Sequence, residues 1–214
     1  MGWLMVAVNL PLYVFAWLAL GPVFTLKTFA AVALWGATAL APAWAQQQLV
    51  PAQSEIVFVS RQMGVPVEGR FRTFNAKIAF DPAKPAASQI AFTVDVASAT
   101  LGVRETDAEL PKPVWFNTAR FPQATFQSSS VKATGPGKFE VGGKLTIKGV
   151  SSDVVVPVTL AQPSGPSGVT TATGAFPIKR LTFKIGENEW ADTSMVADEV
   201  QVRFKIALTG VGKI

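Results

Sequence analysis

Catalysis needs reactive side chains, and this chain offers few. None of its 214 residues is histidine or cysteine, which removes the commonest general base, the usual zinc ligand, thiolate nucleophiles and every Ser-His-Asp or Cys-His arrangement. What is left for acid–base work is a compact acidic group, Glu105, Asp107 and Glu109, since paired carboxylates catalyse when their surroundings split their pKa values. These three fall in one short polar stretch that reads as a solvated acidic helix face. Lys179, Lys184 and scattered Ser and Thr are the other reactive groups. Gly135-Pro136-Gly137 and Gly142-Gly143 read as turn and barrel-wall glycines rather than a phosphate loop, because no helix opening on Lys-Ser or Lys-Thr follows them. The sequence assigns no catalytic residue, no metal ligand and no cofactor, and the reading is that the chain is not an enzyme.

The charges point away from nucleic acid. Net charge is +5, and the basic residues are dispersed singly (Arg61, Lys77, Arg104, Lys132, Lys148, Arg203) rather than clustered into a groove that could track phosphates.

Two apolar runs open the chain. Gly2 to Leu26 carries no charge, and Thr28 to Ala45 follows the single Lys27. The second reads as a secretory signal over residues 26–45, with Phe29 to Leu40 as its apolar stretch and Ala43-Trp44-Ala45 as a small-x-small site predicting cleavage after Ala45. The first, over 2–26, is long enough to cross a bilayer, although Pro11 and Pro22 interrupt a helix there. It is either an extra transmembrane run or an upstream extension with translation starting at Leu26. Both readings place the remainder outside the cytoplasm.

Beyond the leader the pattern is that of strands. Apolar residues recur with period two in Ile90-Phe92-Val94-Val96, Phe139-Val141-Gly143-Leu145-Ile147, Val154-Val156-Val158-Leu160 and Val200-Val202-Phe204-Ile206-Leu208, with mostly polar residues between them. Turn residues separate the runs at Asp81-Pro82, Gly135-Pro136-Gly137, Pro163-Ser164-Gly165-Pro166 and Gly186-Glu187-Asn188, predicting short antiparallel connections. The fold class is all-β, a barrel or sandwich. A short helical segment is expected near 106–117, formed by Asp107 to Leu110 and stopped by Pro111 and Pro113. Residues 46–53 read as a flexible lead-in, and 54–210 as one domain.

An ordered set of landmarks then resembles a known family. Met63-Gly64, Gly69-Arg70-Phe71 with Phe74 six residues after Glu68, Asp95-Val96-Ala97-Ser98, Phe116 with Phe121-Pro122, Ala124-Thr125-Phe126, Gly143 to Val150 and Ala197-Asp198-Glu199-Val200 together resemble the YceI-like polyisoprenoid-binding proteins. The resemblance covers about Ser54 to Leu208. It implies an extended, lipocalin-like antiparallel β-barrel of about eight strands, in a bacterial periplasm, with a long isoprenoid amphiphile in its interior. One departure stands out. Where the family often shows Arg-Asp-x-His-Leu, this chain has Thr106-Asp107-Ala108-Glu109-Leu110, so a histidine grip on a head group is absent and Arg104 is placed to substitute.

On that basis the tail-lining candidates are Phe58, Phe71, Phe92, Phe116, Phe126, Leu145 and Trp190, chosen because they lie on alternating strands or beside the helical segment. Aromatics on inward phases either line a ligand or fill a core, and an eight-stranded barrel admits both outcomes. For a head group, which needs donors near the mouth, the candidates are Arg61, Gln62, Arg104 and Asn117. The expected partner is an isoprenoid lipid or quinone-like amphiphile. The alternative is a solid interaction module assisting an inner-membrane, quinone-linked redox protein, and a homodimer is compatible with either.

Overall fold

Period-two alternation lays down eleven strands in the computed structural model, which describes residues 47–162 and 168–214. The leader features, the cleavage after Ala45 and the turn at 163–166 lie outside the described residues. The strands are β1 (Gln48–Leu49), β2 (Glu55–Gln62), β3 (Val65–Phe71), β4 (Phe74–Ala79), β5 (Gln89–Asp95), β6 (Ala99–Thr100), β7 (Gln123–Gly135), β8 (Lys138–Ile147), β9 (Val150–Ala161), β10 (Val169–Lys179) and β11 (Glu199–Thr209). All four alternating runs of the sequence become strands, β5, β8, β9 and β11. Two hairpins turn on residue pairs with positive φ, Met63-Gly64 (48° and 81°) and Lys148-Gly149 (50° and 76°). Such turns match the right-handed twist of the strands they join, and glycine takes that conformation without steric cost.

Pairing is antiparallel throughout, in the order β4-β5-β7-β8-β9-β10-β11-β2-β3-β6. The two ends of this order meet. β4 continues β3 past Arg72 and Thr73, β6 continues β5 past a 3-10 turn at Val96–Ser98, and β3 pairs with β2 on one side and β6 on the other. Backbone bonds from Arg72 to Ser98 (3.2 Å) and from Asp95 to Thr73 (3.0 Å) carry the ladder across the bend. Counting β3 with β4 and β5 with β6, and leaving aside the two-residue β1, eight strands curl into a lipocalin-like barrel. Register shifts between Ser128 and Ser130 and between Ala133 and Gly135 lie on the long β7, where bulges raise local twist and help the sheet curl.

The lead-in is tied down rather than flexible. Gln47 is buried, its amide bonds Ile78 (3.1 Å), and its side chain exchanges bonds with the backbone of Phe80. β1 pairs with β11, and the Ser54 hydroxyl accepts from the Ala207 amide at 2.9 Å. Ala207 lies on the outward phase of β11 yet is buried, because this segment folds over it. A polar Gln-rich stretch gave no hint of this, since backbone pairing leaves no residue-type signature.

The end of the barrel carrying Gln62, Lys179 and Glu199 is capped by two irregular segments, 101–122 and 180–198. The helix in the first, α1, is shorter and earlier than expected, Arg104–Asp107, and turns occupy the residues up to 117. Pro111 and Pro113 disfavour helical φ and ψ at the residues before them.

Candidate functional site

Along β11 the inward residues Val200, Val202, Phe204, Ile206 and Leu208 all face one continuous cavity of about 370 Å³. That run of eight residue steps spans about 27 Å of strand. At one end the lining includes Gln62, Glu109, Trp115 and Trp190, and at the other Phe80, Leu160 and Val211. The void therefore runs the length of the barrel. Its hollowness shows in the burial pattern. Phe58, Phe92, Phe126, Val202 and Phe204 sit mid-strand on the inward face yet are only half-buried, because the space they face is empty. Packed clusters border the same void, around Phe183 and Ile147 at the capped end, Ile206 and Ile78 toward the opposite end, and Val131 and Phe139 in the wall.

Three glycines hold this bore open. A Cβ on Gly69 would lie 2.2 Å from the Phe58 ring, on Gly143 2.5 Å from the Phe126 ring, and on Gly174 2.4 Å from the Phe204 ring. None of the three has positive φ, so the backbone does not require glycine there, and glycine inside a strand costs stability. At Gly69 the nearest atoms are side-chain atoms, so the bare position lets the Phe58 ring lie against the wall, whereas at Gly143 and Gly174 a Cβ would also meet backbone, Gln127 O at 2.6 Å and Pro157 O at 2.3 Å. Phe58 also packs on Phe71 at 5.3 Å, and Phe71 on Phe116 at 6.0 Å, between centroids.

The mouth is built on a buried arginine. All five N–H groups of the Arg180 guanidinium are used. Nε donates to Ala197 O (3.1 Å), Nη1 to Ile185 O and Gly186 O (2.9 Å each), and Nη2 to Trp190 O and Val196 O (2.6 Å each). Burial pushes this group below its ordinary pKa, and the Asp198 carboxylate pushes the other way. One side chain thereby fixes the 185–197 segment and sets the Trp190 ring 5.4 Å from Trp115. A second tie is Lys148 at the β8–β9 turn, whose buried Nζ donates to Lys184 O (2.5 Å) and Glu187 Oε2 (2.9 Å).

The acidic group of the sequence does not converge on a reaction centre. The Asp107 carboxylate accepts from the Thr100 hydroxyl (2.5 Å) and the Leu101 amide (2.6 Å), which hold its pKa below the usual value. It anchors α1 to β6. Glu109 pairs with Lys112 at 2.6 Å, and Glu105 is exposed.

All seven tail-lining candidates, Phe58, Phe71, Phe92, Phe116, Phe126, Leu145 and Trp190, stand on the cavity wall. Of the head-group candidates only Gln62 does. Arg61 follows Ser60 on the outward phase of β2, Arg104 is exposed on α1, and Asn117 takes φ of 50° in a turn where its carbonyl accepts from Arg120 and Phe121. Sequence reasoning missed Arg180 and Trp115. Arg180 answers to backbone carbonyls, which have no sequence signal, whereas an unexplained glycine within a strand, as at Gly69, is a readable one.

The profile of the YceI-like domain family matches residues 47–208. Among solved structures, BcnA of Burkholderia cenocepacia is 45% identical, with a TM-score of 0.71 over 75% of this chain and 99% of that one. A polyisoprenoid binding domain from Saccharophagus degradans, 16% identical, shares the fold with a TM-score of 0.61 over 76% of this chain and 97% of its own. A UPF0312 protein of Azotobacter vinelandii is 34% identical over 61% of this chain and 70% of its own.

Proposed function

The chain belongs to the YceI-like domain family, and on that premise we propose that it is an exported, non-enzymatic carrier holding one long-chain isoprenoid lipid or quinone-like amphiphile in its barrel. The observation that carries this reading is the apolar cavity running from the capped mouth to Val211. A polyprenyl tail offers only apolar surface, and removing it from water at about 25 cal/mol per Å² drives binding without directional partners. The Saccharophagus degradans neighbour lends the ligand class, and the signal-like stretch before Gln46 lends the periplasm.

The mouth narrows the head group. Polar residues lining the cavity are Ser60, Gln62, Thr106, Glu109 and Arg180. Arg180 has every donor engaged and Glu109 is an acid, so among the described lining residues no cation is free to meet a phosphate. Neutral donors suit an uncharged head such as a quinone or alcohol. The open interior favours this reading over the solid interaction module, which requires a filled one.

Trp115 and Trp190 report on the mouth. Titration with a polyprenyl alcohol is expected to change their fluorescence saturably, at one ligand per chain, and Phe92→Trp, which fills the bore, to abolish the response. Fluorescence that stays flat in the wild type refutes the carrier reading.

A further inference from the structure

The mouth of the channel is ringed by side chains that water does not favour. Among the described residues the large apolar side chains left exposed are Met63, Val65, Val103, Val155, Met195 and Ile214, and four of these lie on the mouth's rim. Met63, 74% exposed, follows the lining residue Gln62, and Met195, 46% exposed, precedes the lining residue Val196. The Met63 amide donates to the Met195 carbonyl at 2.9 Å, and Val65 is the hairpin partner of Gln62. Val103 precedes the helix whose Thr106 lines the cavity, three residues beyond Thr100, which pairs with Arg70 of β3. The side wall contributes Val155 and the opposite end Ile214.

Two cations flank this rim. Arg61 stands two residues before Met63 and Arg104 directly after Val103. Both are exposed, and neither enters an ion pair among the described residues. Of the nearby acids, Glu109 is bound to Lys112. Asp192, whose carboxylate accepts only from the neutral Ser194 among the described bonds, and the exposed Glu189 lie on the Met195 side of the rim outside the ion pairs of the described residues. Glu105 is exposed beside Arg104 and offsets part of that charge. Exposed apolar residues gathered at one place mark an interaction surface, and apolar side chains flanked by arginines suit a bilayer interface with anionic head groups.

We propose that this rim is a membrane-docking surface: Met63, Val65, Val103 and Met195 enter the interface of an anionic bilayer, Arg61 and Arg104 meet lipid phosphates, and the cavity opens directly onto the bilayer. The purpose of docking, passage of a tail between bilayer and barrel without crossing water, rests on the carrier reading. Docking itself does not.

The chain has no cysteine, so Met63→Cys and Val155→Cys each accept a single environment-sensitive fluorophore on the full chain. With vesicles of phosphatidylethanolamine and phosphatidylglycerol, the Met63→Cys label is expected to shift to the blue, less so in high salt and less so with phosphatidylcholine alone. The Val155→Cys label is expected to stay unshifted. Equal shifts at both positions, the result if a leader or non-specific adsorption made the contact, overturn the proposal, as does silence at both. Met63→Asp with Val65→Asp is expected to slow transfer of bound polyprenyl alcohol to these vesicles about tenfold while leaving the amount of lipid bound unchanged. An unchanged rate counts against the rim. A chain that embeds at Met63 but carries no lipid sinks the carrier reading and spares docking. A lipid-loaded chain silent at Met63 does the reverse and leaves the rim to a protein partner.

Discussion

The barrel wall and the cap over its mouth are held together by different physics. The wall rests on strand pairing and apolar side chains that alternate inward, and its middle is left unfilled. The cap has little regular structure and rests on a few charged groups whose partners are mostly backbone carbonyls and amides: Arg180, Lys148 and Asp107. Rigidity has been placed around the void rather than in it. The wall tolerates emptiness because its backbone groups are paired in the sheet, and the cap is fixed by this polar network together with the packed cluster of Leu110, Phe116, Phe183 and Ile185 beneath it.

The largest effect expected from breaking this division is at Arg180. Arg180→Met removes the five side-chain bonds to carbonyls of the 185–197 segment, and an unsatisfied buried group costs about 1–3 kcal/mol, so a loss of roughly 4 kcal/mol is expected on chemical denaturation. A loss below about 1 kcal/mol would show that the cap stands without its arginine.

Within the wall, packed and hollow positions should separate. Ile206, almost wholly buried, is expected to lose about 3 kcal/mol as Ile206→Ala. Phe204 is the larger residue, but its ring borders empty space, so Phe204→Ala is expected to cost roughly 1.5 kcal/mol, well under the usual range for a buried ring. If Phe204→Ala proves the more destabilising, the bore is not a void in solution.

Smaller in stability but sharper in function is Gly69→Ala. The three atoms nearest its new methyl are ends of the Phe58 and Leu101 side chains, so the fold should survive while the Phe58 ring tips into the channel. Affinity for a polyprenyl alcohol is expected to fall about tenfold, with the melting temperature little changed. Adding Phe58→Leu should restore it, and failure of that rescue would remove the seating role of Gly69.

Acid should distinguish the regions last. Hydrogen bonds lower the folded-state pKa of Asp107, and likewise that of Asp192 through Ser194. A lowered folded pKa contributes stability that is complete above the unfolded value, near 3.9, and is lost as pH falls through the folded value. Hydrogen exchange is therefore expected to rise in 100–107 and 192–196 below about pH 4 before it rises in β8 or β11, and Asp107→Asn should remove the pH dependence from the first segment.

What the sequence made legible follows the same boundary. Alternation in β5, β8, β9 and β11 marked the wall, because side chains that face inward must be apolar, and it marked Phe92 and Leu145 as inward, with Phe58 and Phe126 chosen on the same reasoning in β2 and β7. It was silent on whether they would meet across the barrel, which depends on closure and on glycines at cross-strand positions such as Gly69 and Gly174. The cap was poorly legible. Arg180 acts on carbonyls that every residue carries, the α1 boundary depended on Asp107 reaching back to Thr100 and Leu101, and Gln47 bonds backbone far away in sequence. Arg61 and Arg104 were chosen for their chemistry, and strand phase and helix exposure then put them around the mouth rather than in it.

The central claim, that a continuous oily channel holds one lipid tail, is tested most directly by native mass spectrometry of the protein recovered from its host under mild conditions. The account predicts a single added mass per chain, released into organic solvent and matching an uncharged isoprenoid amphiphile. A chain recovered bare, with nothing extractable and no uptake of added polyprenyl alcohol, would contradict it.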